Sequence, residues 1–510
     1  MKCTHRVATK PSKRLRAQGT LRALFRQNHF KGSHMSCSCS SSTNTQNELH
    51  ASILQKINNH PCYSQDAHQH YARIHVAVAP ACNIQCNYCN RKYDCSNESR
   101  PGVTSYKLKP EEAVKKVLHV GGLIQQLSVV GIAGPGDGLA NPKQTFETFA
   151  LLKKYAPDIK LCLSTNGLMI HKHIDEIAKY TIEHVTVTLN SVDESGEIGA
   201  KIYPWVFYEH KKHRGVEGAK LLLEKQLLGI KMLVERGILV KVNSVLIPGI
   251  NDEHLPLVAK KVKELGVFIQ NVMPLISKPE FGTKFGLDGI PSATHKQLMK
   301  AQEACDVNVK MMRHCRQCRA DAVGLLGEDR SDEFFKESFA EKSFEELSHH
   351  YNLNQRMKTH ENIETWRRAL RAANGRALQE EALDKHALSS TGETKLIAVT
   401  TRGNGLINDH FGSAKEFLIY EAGDKAIKFL MHRKVEKAYC MGKEGCDGTY
   451  PIDEIKQTLQ DCDLLLTQKI GECPQKELNS IQLTCDESFA DEPIEISVLK
   501  GARKHFFTAS

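Results

Sequence analysis

At 510 residues with 41% hydrophobic content, the chain has room for two or three domains with real cores. No apolar run reaches the roughly 18 to 20 residues of a membrane helix, which argues against a membrane role and for a soluble, cytoplasmic protein. The formal charge is +10, but residues 1–34 carry nine Lys or Arg and no acid, leaving about +1 (10 less 9) for the rest. The basicity therefore belongs to an arm, and no nucleic-acid partner is expected of the folded body.

That arm spans 1–49. With no acid before Glu48, its 15–26 stretch suits an organellar transit peptide or an anion-binding tail. Translation from Met35, or a vector remnant at 32–35, accounts for it more plainly and gives it no functional part. Residues 36–43 are low-complexity, and their Cys37 and Cys39 stay unassigned. From residue 70 the pattern alternates short β-rich runs with amphipathic helices. Strands are predicted at 74–79, 127–132, 160–164, 184–190, 240–246, 268–273 and 307–312, with helices at 110–120, 146–155, 170–179, 218–236, 255–265 and 294–305. Such repetition implies parallel strands with right-handed crossovers, so the expected α/β fold is a partial (β/α) barrel over 50–335. A charged, helix-prone linker follows at 336–394. A second small α/β domain is expected at 395–500, with strands at 395–401 and 462–467.

Just after the first predicted strand stands Cys82-x3-Cys86-x2-Cys89. Three thiolates can hold three irons of a cubane and leave the fourth open to a small molecule, whereas four would complete a closed cluster or a zinc site. A zinc knuckle or a set of buried thiols is the bland alternative. The spacing, with Tyr88 before the last cysteine, resembles the signature of radical S-adenosyl-L-methionine (SAM) enzymes. The 17 cysteines fall in local clusters, which favours metal ligation in a reducing compartment over disulfides.

The loops after later strands continue the theme. Gly134, Gly136 and Asp137 follow strand two, where in radical SAM enzymes a glycine-rich loop holds the methionine amino group. Thr165 and Asn166 follow strand three, Asn190 follows strand four, and 245–252 follows strand five. Each could equally be a turn or a helix cap, so their shared position carries the reading. Further ligands lie close to the same mouth: His60, Cys62, Cys95, Glu98, Cys162, Cys315 and Cys318, enough for two more clusters. Any one of these cysteines alone could be an inert buried thiol. Arg91 and Lys92 either neutralise clusters or face water.

Residues 60–103, together with 133–140, 165–168 and 315–324, match in order and resemble the NifB family of nitrogenase cofactor biosynthesis proteins. The resemblance implies a [4Fe-4S] cluster on Cys82, Cys86 and Cys89 that binds SAM, and two auxiliary [4Fe-4S] clusters on Cys62, Cys95, Cys162, Cys315 and Cys318, with His60 and Glu98 as further ligands. It implies fusion of those clusters around a SAM-derived carbide. It also implies iron-sulfur donors upstream, a cofactor carrier or scaffold downstream, and a ferredoxin or flavodoxin as electron donor. The C-terminal part resembles the small NifX-type cofactor-binding domain, which makes His410, Cys440, Cys446 and Cys473 candidate contacts. Two readings stay open beside this one: another radical SAM enzyme with auxiliary clusters, such as a molybdopterin-type cyclase or a peptide maturase, and a non-catalytic iron-sulfur scaffold.

Overall fold

In the computed structural model the described residues are 53, 55–92, 95, 98, 100–325, 329–380, 392–440 and 452–507. The N-terminal arm with Cys37 and Cys39, and also Cys446, lie outside them. Everything below belongs to the unit 55–510.

Fifteen strands occur among the described residues. Seven form the main sheet: β1 (Ala72–His75), β3 (Leu127–Ile132), β4 (Lys160–Thr165), β5 (His184–Thr188), β8 (Leu239–Leu246), β9 (Ile269–Pro274) and β10 (Val323–Leu325). Their order is β10-β1-β3-β4-β5-β8-β9. All neighbours are parallel except β10 and β1. The parallel strands are joined by helices that cover one face, as crossover connections require. In helix Ile170–Lys179 the buried positions Ile170, Ile174 and Ile177 recur at one-turn spacing, so a single apolar stripe meets the sheet. The strand β3 is buried along its whole length, as expected of a central parallel strand.

The barrel is partial, as its six predicted strand–helix units imply. The predicted strand at 307–312 is not one. Asn308 and Val309 still donate to Cys305 O, continuing the helix end, and only Met311 pairs, forming an isolated bridge with Gln270 of β9. The chain then turns through Cys315 and Cys318 and pairs as β10 with β1. Residues 311–325 thus run from one open edge of the barrel to the other. A small sheet of β2 (Ile84–Gln85), β6 (Trp205–Tyr208) and β7 (Lys211–Arg214) was not foreseen. Its strands are too short to show a period, and β7 reads as four basic residues.

The predicted linker contains helices Phe344–Tyr351 and Leu353–Glu380. Arg356 fastens the second to the barrel. Fully buried, it donates to Asp158 at 2.8 and 3.0 Å and to Gly121 O at 3.0 Å. A Cβ on Gly121 would meet the Tyr351 ring at 2.4 Å, so the helices approach this closely only because that position has no side chain. The second α/β part holds β11 (Lys395–Val399), β12 (Glu416–Ala422), β13 (Ile427–Lys434), β14 (Leu464–Leu466) and β15 (Thr484–Asp486). Their order is β13-β12-β11-β14-β15, parallel from β11 to β15 and antiparallel on the other side.

Candidate metal and SAM site

Successive residues of a strand point to opposite faces. In β4, β5 and β8 the outward set is apolar, with Leu161, Leu163, Val185, Val187, Val240 and Val242 in the core. The inward set is polar: Cys162 and Ser164, Thr186 and Thr188, Lys241 and Asn243 line a cavity of about 290 Å³. Barrel interiors are ordinarily filled by branched apolar side chains. Here polar residues of three strands face a lumen that is left open.

Seven cysteines line this one cavity: Cys62, Cys82, Cys86, Cys89, Cys162, Cys315 and Cys318. The triplet loop is closed by a turn in which Cys89 N donates to Cys86 O at 3.0 Å, and Gln85 Nε2 donates to the Cys86 and Cys89 carbonyls, both at 2.9 Å. Burial pushes the Cys82 thiol up to about 12 and raises Cys86 and Cys89 as well. These sulfurs are therefore protonated until a metal displaces the protons.

Beside the triplet runs the glycine-rich loop. Gly136 N donates to Ala79 O at 2.7 Å and Asp137 N to Ala81 O at 2.8 Å. A Cβ on Gly136 would lie 2.1 Å from Ala81 O, so this approach of two backbones requires glycine. The Asp137 carboxylate is buried and accepts from Leu139 N at 2.9 Å, Thr165 Oγ1 at 3.1 Å and Asn166 N. Burial raises its pKa against the effect of those donors. Asp137 thereby ties the loop to the end of β4, and Asn166 reaches Asn83 Oδ1 at 2.6 Å and Cys82 Sγ at 3.8 Å.

The other expected residues divide. Gly134 and Asn190 do not line the cavity. Asn190 is fully buried; its amide nitrogen donates to the hydroxyls of Tyr88 and Tyr203, both at 2.9 Å, and its oxygen accepts from Val245 N at 2.7 Å. Both of its amide donors go to Tyr88 and Tyr203, which do line the cavity. Cys95 and Glu98 also lie apart from the lining. Burial works against ionised Glu98, yet hydrogen bonds from Lys92 and Arg100 outweigh it and hold the carboxyl below its usual range. Lys92 thus serves Glu98, while Arg91 faces the cavity. Buried His60 packs on His184 with ring centroids 4.3 Å apart, and its Nε2 has no hydrogen-bond partner.

Burial pushes Cys162 up to about 12 and raises Cys62. Arg73 Nη2 donates to Cys318 Sγ at 3.3 Å. The residues that sequence reasoning missed are Arg73, Tyr203, Lys241 and Arg316. For Lys241 the signal was present as polar residues at alternate positions within an otherwise apolar strand, Lys241 and Asn243 in the run 240–246, whereas Tyr203 and Arg316 stand outside the strands and carry no such mark. In the C-terminal part His410, Cys440 and Cys473 are exposed, and Cys440 N donates to Gly412 O at 2.7 Å, two residues from His410.

The donor set fits sulfur-ligated iron: three thiols on one loop, four more across the same lumen, a close glycine backbone and an orphaned imidazole nitrogen. The Radical SAM superfamily pattern matches residues 76–262, and the Dinitrogenase iron-molybdenum cofactor pattern matches 393–496. The fold and site thus define a radical SAM protein, a class that uses a [4Fe-4S] cluster with SAM. The FeMo cofactor biosynthesis protein NifB of Herbaspirillum seropedicae is 51% identical over 447 residues, covering 88% of this chain and 83% of that protein. Those of Bradyrhizobium diazoefficiens and Azotobacter vinelandii are 50% and 48% identical, covering 90% and 92% of this chain and 89% and 93% of theirs. The chain belongs to the NifB family.

Proposed function

We propose that this chain acts in FeMo cofactor biosynthesis by fusing two [4Fe-4S] clusters, its substrates, around a carbide derived from SAM. The product is the eight-iron precursor of the cofactor. The observation that carries the reading is the convergence of seven cysteines from four separate parts of the chain on one lumen. When bound, the resident cluster supplies the electron that cleaves the sulfonium bond of SAM. Cys82, Cys86 and Cys89 would hold it, and Gly136 with the loop ordered by Asp137 would receive the methionine end of SAM. Thr165 and Asn166 border the same space. Cys62, Cys162, Cys315 and Cys318 would hold the substrate clusters from the opposite wall. His60 adds an available ring nitrogen behind Cys62, whose backbone N–H donates to its Nδ1 at 3.2 Å. In this reading one SAM gives its methyl group to a substrate cluster, and a second is cleaved to remove hydrogen from that carbon. Iron-sulfur donors would supply the substrates, a ferredoxin or flavodoxin the electrons, and a carrier or scaffold would take the product.

Anaerobic reconstitution followed by SAM and a reductant tests this. Both S-adenosylhomocysteine and 5′-deoxyadenosine are expected, together with an iron-sulfur product larger than the starting clusters. Absence of both adenosine products would sink the enzyme reading. Full activity in Cys62→Ala and Cys315→Ala variants would sink the fusion step alone.

A further inference from the structure

The lumen also holds a fixed charge that neither the triplet nor the glycine-rich loop uses. Lys241 lies level with Thr186 of β5 and Ile269 of β9 in the sheet register. Strand alternation turns it inward with Asn243 and Val245. The residue is 7% exposed. An ammonium group at such depth carries a large desolvation penalty unless it is paired. No carboxylate of the described residues forms an ion pair with it. It shares the cavity with Cys62, Cys162, Cys315 and Cys318, and the rings of His60, His75, His184 and His314 are near enough to feel its charge. The Tyr63 ring, 5.7 Å away, supports one side but supplies no counter-charge. A buried cation that lines one cavity with four thiols has no purely structural use, since an apolar side chain would fill the same place at lower cost.

We infer that Lys241 is a binding residue for the sulfide-rich substrate clusters: its ammonium donates to cluster sulfides and balances the charge of iron held on the four surrounding cysteines. Burial works against its charge, and the four sulfurs as thiolates, the form in which they would hold iron, outweigh it and favour the ammonium, in keeping with this role. The inference rests on the reading that iron-sulfur clusters are the substrates.

The test uses the full chain, reconstituted anaerobically with ferrous iron and sulfide, as wild type, Lys241→Met and Lys241→Arg. Three quantities are read: iron per chain, the rate of iron loss to a chelator, and the melting temperature of the iron-free protein. The response of the triplet's own cluster to SAM, followed by electron paramagnetic resonance, is the internal standard. Iron-free Lys241→Met should melt at or above wild type, because an unpaired buried cation has been removed. Once loaded, it should lose iron outside the triplet at least about tenfold faster, while Lys241→Arg holds it. Lys241→Gln takes its place if the methionine variant does not fold. Equal iron content and equal chelation rates in wild type and the uncharged variant would overturn the role of Lys241 alone. A wild type that holds no more iron than one four-iron cluster would overturn the cluster-fusion reading, and the inference with it.

Discussion

Arg316, seated between Cys315 and Cys318, pairs its guanidinium with the Glu416 carboxylate on β12 of the second sheet. Arg316 lines the cysteine-bearing lumen and also a second cavity of about 210 Å³ bordered by His68, His432 and Lys415. The C-terminal sheet is therefore linked by one buried ion pair to the loop that carries two of the candidate ligands.

Removing one partner of such a pair strands a buried charge. Glu416→Ala is expected to cost about 3 kcal/mol of stability, seen as a lower urea midpoint. Glu416→Gln, which keeps a hydrogen-bond acceptor, should cost less. An unchanged midpoint in both would mean that Arg316 finds water instead.

Gly136→Ala forces a Cβ against Ala81 O, a backbone atom that cannot swing away. The variant should be destabilised by about 1–3 kcal/mol. Its SAM affinity, measured by calorimetry on the reconstituted protein, should fall more than its iron content. A normal SAM affinity would show that the loop does not contact the cofactor.

Asn190→Ala removes the partner of two buried tyrosine hydroxyls. A loss of about 1–3 kcal/mol is expected from thermal or denaturant unfolding. Direct SAM binding should change little, since Asn190 stands behind the wall.

Much of this arrangement was legible in the sequence. Periodicity located all six parallel strands, and the spacing of Cys82, Cys86 and Cys89 located the triplet, because both are local properties of the chain. The placement of Asn190 was not legible: a polar residue at a strand end reads the same whether it faces a ligand or two tyrosines. Cys95 and Cys162 also look alike in sequence, yet one lines the lumen and the other does not. The run 307–312 failed as a strand because its apolar residues belong to a helix end and a single bridge. The depth of Lys241 is set by alternation across three strands, which a reading of one strand at a time does not weigh.

Buried histidines set the response to acid. Burial, ahead of nearby positive groups, lowers the pKa of His184 to about 3 and holds His68 and His432 well below their usual 6.5. The unfolded chain takes up protons near 6.5 and the folded chain does not until far lower. Stability should therefore be fully present above about pH 6.5 and fall as pH drops toward 3, by about 1.4 kcal/mol per pH unit for each such histidine. Urea unfolding of the iron-free protein between pH 7.5 and about pH 5 reads this slope. A flat profile would mean that these rings are protonated in the fold.

A barrel that stops short of closure leaves two strand edges able to recruit strands from other molecules. Here the segment 311–325 occupies both, touching β9 through Met311 and pairing with β1 as β10. Cys315 and Cys318 stand in its middle, so the stretch that would grip iron is also the guard against edge-to-edge aggregation. Chelation should then do more than inactivate the protein. It should loosen that guard, and association of the stripped chains should track loss of metal from this pair.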